Sequence, residues 1–414
     1  MLQFERFTLG NGLRVLVHVD KATPMAAMNI LYDVGARDEE PDRTGFAHLF
    51  EHLMFGGSVN IPEYDEPLQM AGGENNAYTT NDITNYHIQL PLKNIETAFW
   101  LESDRMLSLA FSEKSLDVQR KVVSEEFKEH YLNKPYGDAW HKLRLLAYKK
   151  HPYQWPTIGK DLKQIEEADL DEVKAFFHQH YNPVNAIMCV AGDVSVEQVK
   201  ELSEKWFGGI PAGEKFVRQL PVEPRQESPR TETIYADVPL DALYKAWHMS
   251  GRLTPPYYAT DLITEILGSG FSSRLYQRLV KEEQLFSNIN CYHTGSLDPG
   301  LVVVEGKIRE GKSLEDANEA VDKEIAKIVA EGVTVSELQK SKNKIEAMIA
   351  FEDMTILSRA NNLAFYELIG DAQLINDEWG KYQSVTADFL QETANSIFRE
   401  GNCNTLFYRR KPVA

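Results

Sequence analysis

The sequence predicts an α+β protein of two similar halves, and three observations carry that prediction. The chain has 414 residues, which suits two or three domains of ordinary size. Residues 216–232 contain several prolines and many charges without an apolar period, which indicates an exposed linker between residues 1–215 and residues 233–414. Each half begins with strand-like segments and continues into helices. We therefore expect two homologous domains, one on each side of the linker.

The elements of the first half follow from its apolar pattern. Strands are predicted where β-branched and other apolar residues run together, at 12–19, 26–32 and 184–191. Helices are predicted where apolar residues recur every three or four positions, from near Thr44, over 95–109 and over 196–207.

Charge and composition exclude several classes of partner. With 44 Lys and Arg against 62 Asp and Glu, the net charge is -18, so nucleic acid and anionic membranes are poor partners. No apolar run approaches the roughly 20 residues of a membrane span. The N-terminus has no signal-peptide pattern, which favours a cytoplasmic location, although a processed periplasmic form would look the same. Three dispersed cysteines (Cys189, Cys291 and Cys403) predict no disulfide framework.

The segment with the clearest chemistry is His48-Leu-Phe-Glu51-His52. On a helix, His48 and His52 lie one turn apart on one face, and Glu51 projects to nearly the same side. Two imidazoles at this spacing can share one Zn²⁺, with a carboxylate beside them to move protons. The order HxxEH is the inverzincin signature.

A catalytic zinc needs a third protein ligand, and the acidic segment 120–129 offers three candidates. Glu125, Glu126 and Glu129 all have suitable chemistry, and their spacing does not choose among them. The second half repeats parts of the first, because 336–346 is similar to 115–126 and 259–268 is similar to the helix around His48. That second helix lacks both histidines, so we expect one zinc per chain and a C-terminal domain without a zinc site.

Together these segments resemble the pitrilysin family of zinc metallopeptidases, which includes the mitochondrial processing peptidase. Further motifs match the family along the chain: Gly72-Gly-Glu-Asn-Asn-Ala-Tyr-Thr79, Val122-Val-Ser-Glu-Glu126, Asn133-Lys-Pro-Tyr-Gly137 and Ser272-Ser-Arg-Leu-Tyr276. The resemblance implies two domains, each a mainly antiparallel sheet with helices packed on one face.

The resemblance also assigns roles to particular residues. It implies His48, His52 and Glu126 as zinc ligands and Glu51 as general base. Asn76, Ala77 and Thr79 fall on the strand whose edge pairs with the substrate backbone in relatives. Gln119 stands where relatives often carry a glutamate that supports the zinc ligands, and glutamine adds no charge there.

The function implied is a zinc-dependent endopeptidase that cleaves unfolded peptides, acting as a homodimer or as a heterodimer with a sibling chain. Active relatives use an Arg and a Tyr of the second half to hold substrate carbonyls. Here 287–300 offers Tyr292 without an Arg, although Arg309 lies just beyond. One alternative is therefore a non-catalytic or partner-dependent subunit whose sibling supplies the clamp. Another is a peptide-binding module with a structural zinc.

Overall fold

Two β-sheets form the framework of the computed structural model, which describes residues 1–412. The first sheet has the strand order β1-β2-β6-β3-β5-β4, and only β2 and β6 pair in parallel. Its strands are β1 (Glu5–Thr8), β2 (Arg14–Val19), β3 (Met25–Tyr32), β4 (Glu74–Thr79), β5 (Thr84–Pro91) and β6 (Ala186–Gly192).

The second sheet has the strand order β7-β11-β8-β10-β9, in which only β7 and β11 pair in parallel. Its strands are β7 (Arg230–Ala236), β8 (Ala242–His248), β9 (Phe286–His293), β10 (Leu301–Ile308) and β11 (Cys403–Arg410). The order β2-β6-β3-β5-β4 of the first sheet is reproduced strand for strand. This common topology confirms the predicted α+β fold of two sheet-plus-helix halves.

Helices connect and cover the strands. In chain order they are α1 (Phe46–Leu53), α2 (Asp65–Met70), α3 (Ile95–Leu107), α4 (Glu113–Phe127), α5 (Ala139–Ala147), α6 (Leu162–Glu166), α7 (Leu170–His180), α8 (Val196–Phe207), α9 (Pro255–Gly268), α10 (Leu314–Glu331), α11 (Val335–Glu352), α12 (Ile356–Leu368), α13 (Glu378–Ser384) and α14 (Ala387–Ile397). Among the described residues, no helix is both long and apolar enough to cross a bilayer.

Most predicted elements are present, with ends shifted by a few residues. The helix expected from near Thr44 begins at Phe46, because Gly45 has a left-handed backbone with φ of 90°. The helix expected over 95–109 ends at Leu107, since Ser108 is extended. The helix over 196–207 has the predicted bounds. All three cysteines are free, and Cys189 and Cys291 are buried.

The chain divides into two compact units, each made of segments that are discontinuous in sequence. The first comprises 1–127, 155–220 and 349–377, and the second comprises 128–154, 221–348 and the residues from Glu378 onwards. Helix α12 packs on β3 and β6 of the first unit, and α5 packs on β8 and β11 of the second. The compact units therefore differ from the contiguous segments divided at 215 and 233, and that division between repeats stays a prediction.

Candidate active site

Helix α1 carries the His48-Glu51-His52 group on the face opposite its buried side. Its apolar residues Phe46, Leu49, Phe50 and Leu53 are buried, whereas the three polar residues are partly exposed. This separation follows from the helical period, because residues three and four apart share a face. The rings of His48 and His52 lie with their centroids 4.8 Å apart.

Glu126 of α4 lies against both histidines. Its Oε2 is 3.4 Å from Nε2 of His52 and 3.8 Å from Nε2 of His48. Two ligand atoms on a tetrahedral zinc are about 3.4 Å apart, given metal–ligand distances near 2.1 Å. The neighbouring candidates Glu125 and Glu129 are exposed. Among the described residues, His48, His52 and Glu126 form a group whose possible ligand atoms all lie within 4.8 Å of one another. The donor set therefore fits a zinc ion, while the ligand assignment itself stays a prediction.

The electrostatics of His48 suit metal binding. Burial, and then the adjacent His52, lower the pKa of His48 to about 4. The imidazole is therefore neutral at pH 7, which is the state that binds a metal. Its Nδ1 is buried without a hydrogen-bond partner among the described residues, and its Nε2 is the nitrogen on the side of Glu126.

Glu51 is held from strand β4. The hydroxyl of Thr79 donates a hydrogen bond of 2.7 Å to Oε2 of Glu51. Burial raises the pKa of Glu51, and the bonds from Thr79 act in the opposite direction. Glu51 is thus a partly desolvated carboxylate with a fixed donor, beside the three candidate ligands.

Strand β4 is an edge strand of the first sheet. It pairs with β5 on one side, and no described strand covers its other side. The side-chain Oδ1 of Asn76 accepts a bond of 2.8 Å from the backbone N–H of Ala77. An edge of this kind can pair with an extended peptide. The roles of Asn76, Ala77 and Thr79 in binding substrate stay predictions.

Two further residues singled out in the sequence, Gln119 and Tyr292, have these surroundings. Gln119 of α4 lines a groove of about 650 Å³ together with Ser58 and Val59. Its support of the zinc ligands stays a prediction. Tyr292 of β9 donates to Glu305 over 3.2 Å.

Sequence reasoning missed Glu39, whose side chain caps the N-terminus of α1. Its buried carboxylate accepts the backbone N–H groups of Gly45 and Ala47, each over 2.9 Å. Burial raises the pKa of Glu39 well above its usual range. A carboxyl oxygen at a helix N-terminus accepts hydrogen bonds from N–H groups that have no partner within the helix. The signal was the lack of a Ser, Thr, Asp or Asn at the cap position Gly45, which leaves the role to a residue outside the helix.

Comparison with known proteins identifies the family to which this chain belongs. The family profile described as Insulinase (Peptidase family M16) matches residues 14–160, and that described as Peptidase M16 inactive domain matches residues 167–345. The chain belongs to peptidase family M16. This agrees with the resemblance to the pitrilysin family.

Named relatives span nearly the whole chain. The zinc protease PqqE of Helicobacter pylori is 30% identical over 98% of this chain and 92% of that protein. The uncharacterized zinc protease YmxG of Bacillus subtilis is 24% identical over 96% of each. The crystal structure of a protease from Helicobacter pylori superimposes with a TM-score of 0.92 at 28% identity, covering 99% of this chain and 100% of that one.

Larger proteins contain the same fold. The structure of pitrilysin matches with a TM-score of 0.80 at 15% identity, covering 99% of this chain and 45% of that chain. The probable mitochondrial-processing peptidase subunit beta of Arabidopsis thaliana is 25% identical over 83% of this chain and 66% of that protein.

Proposed function

We propose that this protein is a zinc-dependent endopeptidase that cleaves unfolded peptides. One observation carries the proposal: the Nε2 atoms of His48 and His52 converge on Oε2 of Glu126, with Glu51 on the same helical face. Three protein ligands with an adjacent carboxylate are the composition of a catalytic zinc site, whereas structural zinc sites normally have four protein ligands.

The chain's own residues have distinct tasks in the proposed reaction. Zn²⁺ bound at the site would supply a Lewis acid for the scissile carbonyl and lower the pKa of a water. Glu51 accepts the proton of the attacking water and later delivers it to the leaving amine nitrogen. One water is consumed for each peptide bond broken. Because burial raises the pKa of Glu51, its conjugate acid forms more readily than that of an exposed glutamate.

The open edge of β4 supports an extended peptide as substrate. Backbone hydrogen bonds to an added strand give affinity without selecting a particular sequence. Thr79, at the end of β4, contacts Glu51, so a peptide paired with this edge runs beside the proposed base. This arrangement supports cleavage within unfolded chains, since a segment inside a helix or an interior strand has no free backbone edge to pair.

We also propose that two chains work together. The chain covers 48% of the periplasmic protease PqqL and 45% of pitrilysin, so two copies would come close to either protein in length. The partner would be a second copy or a sibling chain. The profile named inactive domain matches residues 167–345, which supports a second half that assists the reaction without supplying the zinc ligands or the base.

The test is cleavage of unstructured peptides by the purified, zinc-loaded chain and by its Glu51→Gln variant. Loss of the proton acceptor should lower kcat by about 10²–10⁴-fold while the zinc content stays equal. Glu125→Gln is the matched control, because Glu125 is exposed on α4 directly before Glu126. It should retain the wild-type rate.

Two other results would change the conclusion. Equal rates for wild type and Glu51→Gln would contradict the assignment of the base. No cleavage by zinc-loaded wild type, with cleavage after a sibling chain is added, would establish the partner-dependent subunit instead.

A further inference from the structure

We infer that Thr79 is a positioning residue for Glu51, which fixes the orientation of that carboxylate instead of serving only as part of a substrate-binding edge. The inference rests on the proposed function, since it assigns a task within the same reaction. Its basis is the hydrogen bond of 2.7 Å from the Thr79 hydroxyl to Oε2 of Glu51. The hydroxyl proton that makes this bond is not available to donate to a peptide.

The backbone of Thr79 is held in place by its strand partner and by the turn that follows it. Within the sheet, Thr79 is paired with Thr84 of β5. Directly after it, the hydroxyl of Thr80 accepts the N–H groups of Asp82 and Ile83, each over 3.0 Å, and closes the turn between the two strands. The donor therefore projects from a strand end whose position is set by the sheet and by the turn.

The side-chain type suits the task. Threonine is branched at Cβ, so its χ1 angle is more restricted than that of serine. The hydroxyl direction is thus largely determined once the backbone is fixed. Glu51, in contrast, has three side-chain torsions, and its carboxylate needs an external contact to keep one orientation.

The bond leaves Glu51 able to react. An ionised carboxylate offers about four lone-pair sites, of which the hydroxyl occupies one. The remaining sites can accept a proton, while the bond limits rotation of the carboxylate plane. Misplacement of a catalytic group by about 1 Å can cost on the order of 10²-fold in rate. A single hydrogen bond that prevents such rotation can therefore affect kcat strongly.

Kinetics separate positioning from substrate binding. Thr79→Val removes the hydroxyl at nearly constant volume and should lower kcat by about 10–100-fold, with KM changed by less than about 3-fold. Thr79→Ser keeps a donor and should restore kcat to within about 3-fold of wild type. Thr393→Val is the matched control, because it removes a buried hydroxyl of α14 that donates to the Phe389 carbonyl over 2.8 Å. It should leave kcat unchanged.

A second measurement needs neither metal nor substrate. In the metal-free protein, urea unfolding of Thr79→Val, Glu51→Ala and the double variant gives a double-mutant cycle. A hydrogen bond to a charged group predicts non-additivity of about 10-fold in the unfolding equilibrium constant. Additive effects would overturn the inference, because the two side chains would then have no measurable interaction.

The kinetic outcomes are equally decisive. A raised KM with unchanged kcat in Thr79→Val would overturn positioning in favour of substrate binding, and wild-type values for both constants would also overturn it. Either result leaves the peptidase proposal standing if Glu51→Gln is inactive. A wild type that cleaves nothing, alone or with a sibling chain, overturns the proposed function and the catalytic role of Thr79 with it.

Discussion

Lys344 of α11 donates to Oε1 of Glu265 on α9 over 2.6 Å, and its ammonium also reaches the Ser269 hydroxyl at 2.8 Å. In the first unit, the helices at the corresponding places in the topology are α1 and α4, which bring His52 and Glu126 together. A fixed cation of the protein thus joins the second pair of helices, where the first pair presents three candidate metal ligands.

This difference predicts one zinc per chain. His52→Ala should reduce zinc bound by the purified protein from about one ion per chain to a small fraction, because two ligands remain. Lys344→Met should leave the zinc content at one, since no histidine lies on α9. Elemental analysis of gel-filtered protein measures both. Two zinc ions per wild-type chain, or unchanged zinc in His52→Ala, would contradict the assignment.

How far the sequence predicts this site depends on how local the interactions are. His48 and His52 follow from helical spacing alone, because four residues make about one turn. Glu126 could not be chosen by spacing from Glu125 or Glu129, and the resemblance supplied it. The structure separates them by exposure, since Glu126 turns towards the histidines.

The parts that sequence reasoning missed depend on contacts between distant segments. Glu39 caps α1 through a loop, and no periodic pattern marks it. Likewise, α12 lies in the second half of the sequence, yet it packs on the sheet of the first unit. Periodicity shows which face of a helix is buried, but it does not show against which strand.

A buried ion pair within α3 predicts a large loss of stability when only one of its two charges is removed. The guanidinium of Arg105 binds Glu102 through Nε and Nη2, at 2.9 and 2.6 Å, and lies within 4.4 Å of the Tyr86 ring centroid. Arg105→Met should lower the free energy of unfolding by about 3–5 kcal/mol, because the Glu102 carboxylate stays buried without its partner. Urea denaturation of the zinc-loaded protein measures the loss.

The control for this prediction removes both charges. Glu102→Gln combined with Arg105→Met should be less destabilising than Arg105→Met alone, because no charge is then left buried without its partner. Equal losses in the single and the double variant would show that packing on the aromatic rings, and not charge, accounts for the effect.

Acid should weaken the second unit through Glu337. Its hydrogen bonds with Arg274, foremost, and with Thr334 lower the pKa of Glu337 to about 2. The folded pKa lies below the unfolded value, so this stabilisation is complete above about pH 4.5 and is lost as pH falls towards 2. Glu337→Gln should lower the free energy of unfolding by about 1–2 kcal/mol at pH 7, a figure reduced for solvent screening at this partly exposed position.

The readout is urea stability between pH 7 and pH 2. Wild type should lose stability more steeply below pH 4.5 than Glu337→Gln, so that their difference shrinks with acid. Glu346→Gln is the matched control, because Glu346 is exposed on the same helix and forms no ion pair with a described residue. A constant difference between wild type and Glu337→Gln across this pH range would exclude the ionic contribution.

Helix α12 predicts that residues 1–215 do not fold stably by themselves. Ile356, Ala360, Leu363 and Ala364 of α12 pack in one cluster with Cys189 and other apolar residues of the first sheet. Without α12 that face meets water, and roughly 25 cal/mol is lost for each Å² of apolar surface exposed. Cys189, which is fully buried in the intact chain, should then react with thiol reagents.

Labelling of Cys189 followed by peptide mapping compares the fragment with the intact chain. Leu363→Ala in the full-length protein weakens the same contact without removing the helix. It should lower the free energy of unfolding by about 2–5 kcal/mol, because Leu363 is fully buried. Its Cys189 should label faster than in wild type but slower than in the fragment. A fragment of residues 1–215 that melts cooperatively and protects Cys189 would show instead that the first half folds without α12, as the contiguous division of the sequence predicts.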